Sequence, residues 1–376
     1  MRVLFWTGTF WPSIGGVEVL ATKLLPALRD RGYEYIVVAP KSHPRLADQE
    51  FYKGIPVYRF HFFNNLNHGS IDHVVGMRQQ VSSLKRAFAP SLIHINSVGL
   101  GNFFHLATAN VHPCPLLVTL HGEWDNAANT IVGHTLRAAD WVAGCSSAIV
   151  EKARQAAPEI APRSSVIYNA LEAPALLPAP LPVRDFRLLC VGRLVTDKGF
   201  DLALQALSLV IERLPNTRLV IAGDGPERSN LMQQVSAFGL KDAVDFVGWI
   251  APDAVASLMN SATAVLMPSR YETFGLVALE AAFMARPVVA TRVGGLAEVV
   301  VAGETGLLVE KDNSKGLADA IYSLLKNPEM AVRMGQAARS RAQTVFSWER
   351  HVDAYDALYR QLITEGKAAV TSPSSY

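Results

Sequence analysis

The sequence predicts an α/β protein built from two doubly wound domains. Short apolar runs alternate with stretches of helical period along nearly the whole chain. The alternation starts again in the second half, and a proline-rich segment divides the two. At roughly 150 residues per domain, 376 residues make two such units. In the first half Val3–Trp6 reads as a strand, followed by a helix through Leu20, Leu24 and Leu28. Further strands are expected at Ile36–Val38, Val57–Phe62, Leu92–Ile95, Leu116–Leu120 and Trp141–Ala143. In the second half they fall at Leu188–Val191, Leu219–Ala222, Val244–Val247, Ala264–Met267, Val288–Ala290 and Leu307–Val309. Phe200, Leu204, Leu207, Ile211 and Leu214 recur at helical spacing between the first two of these. Strand–helix alternation implies parallel sheets covered on both faces.

Ala173 to Pro182 reads APALLPAPLP, with four prolines between Pro174 and Pro182. Proline fixes φ and removes an amide donor, so this segment reads as a stiff connector. The expected domains are therefore 1–172 and 173–345, before a closing segment 346–376. The tail after Ala369 reads as frayed.

Composition excludes several classes of function. Lys plus Arg is 35 and Asp plus Glu is 33, a net charge of only +2, so no bulk positive field draws nucleic acid. Cys114, Cys145 and Cys190 form no CxxC pair, which argues against a disulfide scaffold or a zinc ribbon. No run approaches the roughly 18 apolar residues of a membrane span. The opening MRVLFWTGTFWPSIGG lacks a signal-peptide pattern and reads as a first strand, so a cytoplasmic protein is expected.

Parallel sheets bind ligands beyond the carboxyl ends of their strands. The strand ending at Val191 leads into GRLVTDKG, Gly192 to Gly199. Arg193 and Lys198 there suit one anion, the first as a planar fork of donors and the second as a point charge. AGDGP, Ala222 to Pro226, follows the next strand, and its Gly223 lets backbone approach a ligand. Pro268 to Pro287 places Glu272 before a helix that starts near Phe274–Gly275, with Glu280 inside it. The free N–H groups of a first helical turn favour anions and hydroxyl oxygens. The apolar neighbours Ala278, Leu279, Ala281, Ala282 and Phe283 argue that Glu280 is not simply a solvated residue. No GxGxxG occurs, which disfavours a dinucleotide dehydrogenase.

Gly15–Gly16 with Glu18, then GRLVTDKG, AGDGP and Glu272-TFGLVAL-Glu280, occur together and in this order. The set resembles the retaining glycosyltransferases of family 4, over nearly the whole chain. The resemblance implies the GT-B fold: two Rossmann-like domains, an interdomain cleft, and a C-terminal helix (here FSWERHVDAY onward) returning to the N-terminal domain. It implies that Arg193 and Lys198 hold the diphosphate of a UDP- or GDP-sugar, with Gly15, Gly16, Gly192 and Gly223 lining the donor. Glu280 would bind the ribose hydroxyls. Glu272 and the backbone N–H groups of Phe274, Gly275 and Leu276 would hold the transferred sugar, and Trp249 and Ile250 would cradle the base. His121, in LVTLHGEW, matches the family's histidine in the N-terminal domain and would act in catalysis with Arg193, Lys198 and Glu272. Retention would follow a same-face path in which the leaving phosphate helps take the acceptor proton. Two departures, Asn169–Ala170 for the usual NG and Arg31–Gly32–Tyr33 for the common RGH, lie outside the donor grip.

No D-x-D motif chelates a metal, and nine of the ten histidines precede residue 135 without ligand spacing. Neither metal nor cofactor is expected, and the diphosphate charge falls to cations, N–H groups and helix dipoles. Trp11 and Trp124 are candidate acceptor faces, and 59–69, RFHFFNNLNHG, a candidate acceptor rim. Val74, Met77, Val81, Leu84 and Phe88 make an apolar helix stripe flanked by Arg78, Lys85 and Arg86. A helix covering the sheet explains it, and peripheral contact with the inner face of a membrane is the sharper reading. The expected partners are a UDP- or GDP-sugar and a carbohydrate, lipid-linked or small-molecule acceptor, in glycan, glycolipid or surface-polysaccharide synthesis. A GT-B epimerase, a phosphorylase and a non-catalytic sugar-nucleotide-binding protein are the alternatives.

Overall fold

The computed structural model describes residues 1–13, 15–62, 66, 70–122, 124 and 130–371, of which 367–371 by backbone alone. The chain forms two compact units, Met1–Tyr168 with Glu349–Tyr376, and Asn169–Trp348.

The first unit carries an eight-stranded sheet: β1 (Arg2–Trp6), β2 (Glu34–Pro40), β3 (Gln49–Tyr52), β4 (Ile55–Phe60), β5 (Leu92–Ile95), β6 (Leu116–Leu120), β7 (Trp141–Gly144) and β8 (Ser164–Val166). Their order is β3-β4-β2-β1-β5-β6-β7-β8. The central strands are mainly apolar because helices cover both faces: Val3, Leu4 and Phe5 in β1 and Leu117 and Val118 in β6 are fully buried. Two strands escaped the sequence reading. β8 has only three half-buried residues, and β3 alternates exposed with half-buried residues. β3 also pairs antiparallel with β4, so this sheet is not wholly parallel.

The second unit carries six parallel strands: β9 (Arg187–Val191), β10 (Arg218–Ala222), β11 (Val244–Gly248), β12 (Ala264–Met267), β13 (Val288–Thr291) and β14 (Gly306–Val309). Their order is β11-β10-β9-β12-β13-β14. Helix Phe200–Ile211 buries Phe200, Ala203, Leu204 and Leu207 in the same core as Leu188 and Leu219. In both sheets the chain winds outward in two directions from a central pair, β1/β5 in the first and β9/β12 in the second. At such a reversal the crossover helices lie on opposite faces, which opens a crevice beyond the carboxyl ends of that pair.

The expected connector is part of the second unit. The Asn260 amide donates to Leu177 O at 2.9 Å, Ala179 N–H donates to Asn260 Oδ1 at 3.0 Å, and Thr263 Oγ1 donates to Pro182 O at 2.8 Å. Upstream, Leu171 bridges Ser347, and Asn169 and Ala170 are buried, so the division falls at Tyr168 rather than at 172.

The C-terminal helix, Trp348–Thr371, packs on the first unit from Glu349 onward. Tyr33 Oη donates to Asp356 Oδ1 at 2.7 Å, and Arg31 pairs with Asp353 at 2.6 Å. Beneath the helix, buried His94 lies 2.6 Å from Tyr359 Oη and 2.8 Å from Thr119 Oγ1. Burial pushes the His94 imidazole down to about 3, so it is neutral there.

Lys85 corrects the reading of the apolar stripe. It lies not on the flank of helix Ile71–Phe88 but on its buried side with Met77 and Val81, four residues apart. Its Nζ donates to His105 O at 3.2 Å and Thr108 O at 3.1 Å, and burial pushes the ammonium down to about 8.

Candidate functional site

The sharpest motifs of the second unit converge at its reversal point. The segment 192–199 follows β9 and the segment 268–275 follows β12, its sheet neighbour. Lys198 ends a 3-10 turn, Thr196–Lys198, and Gly199 then turns left-handed with φ +64°. A Cβ on Gly199 would run into Pro268 O, so only glycine lets the two segments close on each other. Arg270 N–H donates to Asp197 O at 2.7 Å, fastening one segment to the other. The outcome is an ion pair between two residues singled out from sequence: Lys198 Nζ lies 2.6 Å from Glu272 Oε2. Arg193 leaves the tip of β9 exposed, and its guanidinium has no hydrogen bond or ion pair among the described residues.

Arg270 was not foreseen. It pairs with Asp201 through two bonds of 2.8 and 2.6 Å and with Asp312 at 2.8 Å, and it donates to Thr196 O at 3.0 Å. These bonds to Asp201 and Asp312 raise the Arg270 pKa despite partial burial. The usable signal was positional: Arg270 lies two residues before Glu272, and Asp201 two after Gly199.

The glycines after β9 and β10 have a packing reason of their own. Gly192 N–H donates to Ala222 O at 2.9 Å, and a Cβ on Gly223, whose φ is +139°, would strike Gly192 O. The loops carrying Gly192 and Gly223 therefore lie backbone on backbone.

Gly275, with φ +105°, caps helix Leu276–Phe283, whose first N–H groups have no side-chain cap. Phe274 is buried edge-on against Phe346 at 5.6 Å. Glu280 lies within this apolar helix, half-buried, with no hydrogen bond or ion pair among the described residues. Loss of solvent pushes its carboxyl up to about 7. A half-buried carboxylate without a protein partner costs stability. Trp249, after the edge strand β11, is exposed, and Ile250 half-buried.

In the first unit Gly15 caps helix Gly16–Arg29 with extended backbone and no side-chain bond, and the Glu18 carboxylate folds over it. His121 follows β6, nearly buried, with Nε2 at 3.1 Å from Asn96 Oδ1 at the end of β5. Asn96 was not foreseen; its place beside β1 at the first unit's own reversal was the signal. Trp11 is half-exposed, tilted against Tyr52 at 5.6 Å, and its carbonyl accepts from Arg59. Trp124 is buried, with Lys152 Nζ 5.8 Å over its ring. Of the proposed acceptor rim, 63–65 and 67–69 lie outside the described residues. Among the described residues no group of three or more His, Cys, Asp or Glu is placed to hold a metal ion. No helix among them is long and apolar enough to cross a membrane.

Comparison with known proteins places this geometry. Residues 178–341 match the family model described as Glycosyl transferases group 1, and residues 14–173 the one described as Glycosyltransferase Family 4. Glycogen synthase from Mycobacterium tuberculosis is 28% identical over 396 aligned positions, covering 96% of this chain and 94% of the relative. Among solved structures, the Anabaena protein HepE in complex with UDP and glucose superposes with a TM-score of 0.80 at 23% identity, over 96% of this chain and all of that one. Sucrose-phosphate synthase from Thermosynechococcus elongatus gives 0.78 at 24%, over 97% of this chain and all of that one. These likenesses show the GT-B fold of two parallel-sheet α/β domains.

Proposed function

The chain belongs to the group 1 and family 4 glycosyltransferases, and from that premise we propose that it moves a hexosyl group from a UDP- or GDP-sugar to an acceptor hydroxyl, with retention and without a metal ion. The carrying observation is the Lys198–Glu272 pair at the β9/β12 reversal, with an unpartnered Glu280 in the helix that follows. As the sugar–phosphate bond breaks, negative charge gathers on the departing diphosphate and positive charge on the anomeric carbon. Lys198 and Arg193 meet the first, and Lys198 is already held in place by Glu272. Glu272 and the N–H groups of Phe274, Gly275 and Leu276 take the hydroxyls of the sugar. The Glu280 carboxylate takes two ribose hydroxyl hydrogens, which a group with no protein partner is free to accept. UDP in the HepE structure supports a uridine donor as the first to try. Glycan, glycolipid or surface-polysaccharide synthesis in the cytoplasm is the setting that the family suggests.

Thermal-shift screening against UDP- and GDP-sugars, followed by nucleotide release in the presence of EDTA, tests the reading. A nucleotide sugar should raise the melting temperature, and release should survive chelation. Loss of release with EDTA defeats the metal-free mechanism. Sugar phosphate formed from inorganic phosphate without nucleotide marks a phosphorylase instead.

A further inference from the structure

We infer that the pocket at the β1/β5 reversal of the first unit receives an uncharged, hydroxyl-bearing part of the acceptor and selects against phosphate and carboxylate. The inference rests on the transferase reading above, with the first unit as the acceptor side.

The pocket is a cavity of about 110 Å³, and none of its ten lining residues is ionisable. Trp6, Phe62, Ser97 and Asn102 supply its aromatic and polar walls. Carboxyl-edge loops of this kind often hold anions with backbone N–H groups. Here the Gly8 and Gly99 N–H groups are already occupied, the first by Ser97 Oγ at 2.6 Å and the second by Asn102 Oδ1 at 2.6 Å. The Ser97 hydroxyl hydrogen and the Asn102 amide hydrogens remain, with no acceptor among the described residues. Asn96, next to Ser97 in the chain though outside the lining, also has a buried Nδ2 without a partner among them. Such neutral donors match hydroxyl and ring oxygens.

The surrounding sequence has the same character. Among the described residues of the segments that follow β1, β4, β5 and β6 (7–13, 61–62, 66, 96–101, 121–122 and 124), none is Lys or Arg. The nearby cations are committed elsewhere. Lys41 pairs with Asp48 at 2.6 Å, and buried Arg59 pairs with Glu50 at 2.5 Å and holds the Trp11 carbonyl. Arg45, in the loop after β2, and Lys152, whose Nζ lies 5.8 Å over the Trp124 ring, are the others. An anionic group entering this pocket would lose its hydration and gain no opposite charge.

The test uses matched pairs on the full-length protein loaded with the nucleotide that thermal shift selects, at pH 8, where an ordinary histidine is neutral. Methyl α-glucoside is set against glucose 6-phosphate, and glycerol against glycerol 3-phosphate. Saturation-transfer NMR reads binding whether or not transfer occurs, and nucleotide release reads turnover where it does. The neutral member of each pair should bind at least about 10-fold more tightly, a difference equal to one lost charge interaction. Val98→Arg, in the pocket wall, should reverse that order, and Arg45→Ala should leave it unchanged. Equal or tighter binding of the phosphorylated member overturns the inference, and so does silence from both members. Failure to bind any nucleotide sugar defeats the transferase reading instead.

Discussion

The two sheets reverse direction in the same way, yet the chemistry at their reversal points is opposite. Beyond β9/β12 the loops are charged and locked: Lys198 on Glu272, Arg270 on Asp201 and Asp312, and glycines where no Cβ fits. Beyond β1/β5 the lining is neutral, and its hydrogen bonds run between amides, hydroxyls and a carboxamide. A diphosphate leaving group demands cations fixed in advance, because reorganising them during reaction would raise the barrier. A hydroxyl acceptor demands shape and neutral donors. The largest effect should therefore fall on the charged side. Lys198→Ala and Arg193→Ala should each lower turnover at least about 100-fold, or about 3 kcal/mol, in a nucleotide-release assay, while circular dichroism stays that of the wild type. Near-wild-type rates would overturn the assigned phosphate grip.

The locking can be separated from the charge. Gly199→Ala forces a left-handed alanine against Pro268 O and should destabilise by about 3 kcal/mol. Gly99→Ala, in the pocket wall of the first unit, meets nothing within 4 Å and should stay within about 0.5 kcal/mol of wild type. Urea denaturation of the two variants measures the contrast, and equal losses would mean that the two reversals are held alike.

Glu280 offers an effect of opposite sign. Its carboxyl is raised from an ordinary 4.5 to about 7, so the folded chain holds that proton more tightly than the unfolded chain does. The Glu280 contribution to stability therefore falls as pH rises from 4.5, and that loss is complete above 7. Glu280→Gln should remove it, gaining about 2 kcal/mol at pH 8 after allowance for partial exposure, and nothing below pH 4.5. Calorimetry should show the same variant binding nucleoside diphosphate more weakly, since a carboxamide oxygen and an NH₂ cannot both accept ribose hydrogens. A stability gain with undiminished affinity would remove Glu280 from the ribose.

What the sequence made legible follows from the same contrast. Leu92–Ile95, Leu116–Leu120 and Ala264–Met267 were placed to the residue because strands buried on both faces read as short, mainly apolar runs, interrupted here only by His94 and Thr119. β3 was missed because an edge strand needs no such run. Lys198 and Glu272 were legible because residue type and spacing carry their chemistry. Arg270 and Asn96 were not, because each matters through a partner brought close by the sheet: Asp201, 69 positions away, and His121, 25 away. Lys85 was misplaced because periodicity records polarity, whereas a long stem can carry an ammonium to buried carbonyls.

The first unit also spends charge, but before β2, at the amino end of its sheet, and on its own architecture. Burial alone would raise the Asp356 carboxyl, yet hydrogen bonds from Tyr33, Arg360 and Arg31 outweigh it and hold the group below its ordinary range. The folded state thus prefers the carboxylate, and the stabilisation is present above pH 3.8 and lost as pH falls through the lower folded value. Asp356→Asn should cost about 1 kcal/mol at pH 7 and converge with wild type in acid. Its nucleotide affinity should be unchanged, because Asp356 acts by fastening the C-terminal helix to Tyr33 and Arg31. Thermal melts at pH 7 and pH 3, with calorimetry alongside, separate the outcomes. A loss of nucleotide affinity matching the loss of stability would show that the structural charges of the first unit are coupled to nucleotide binding.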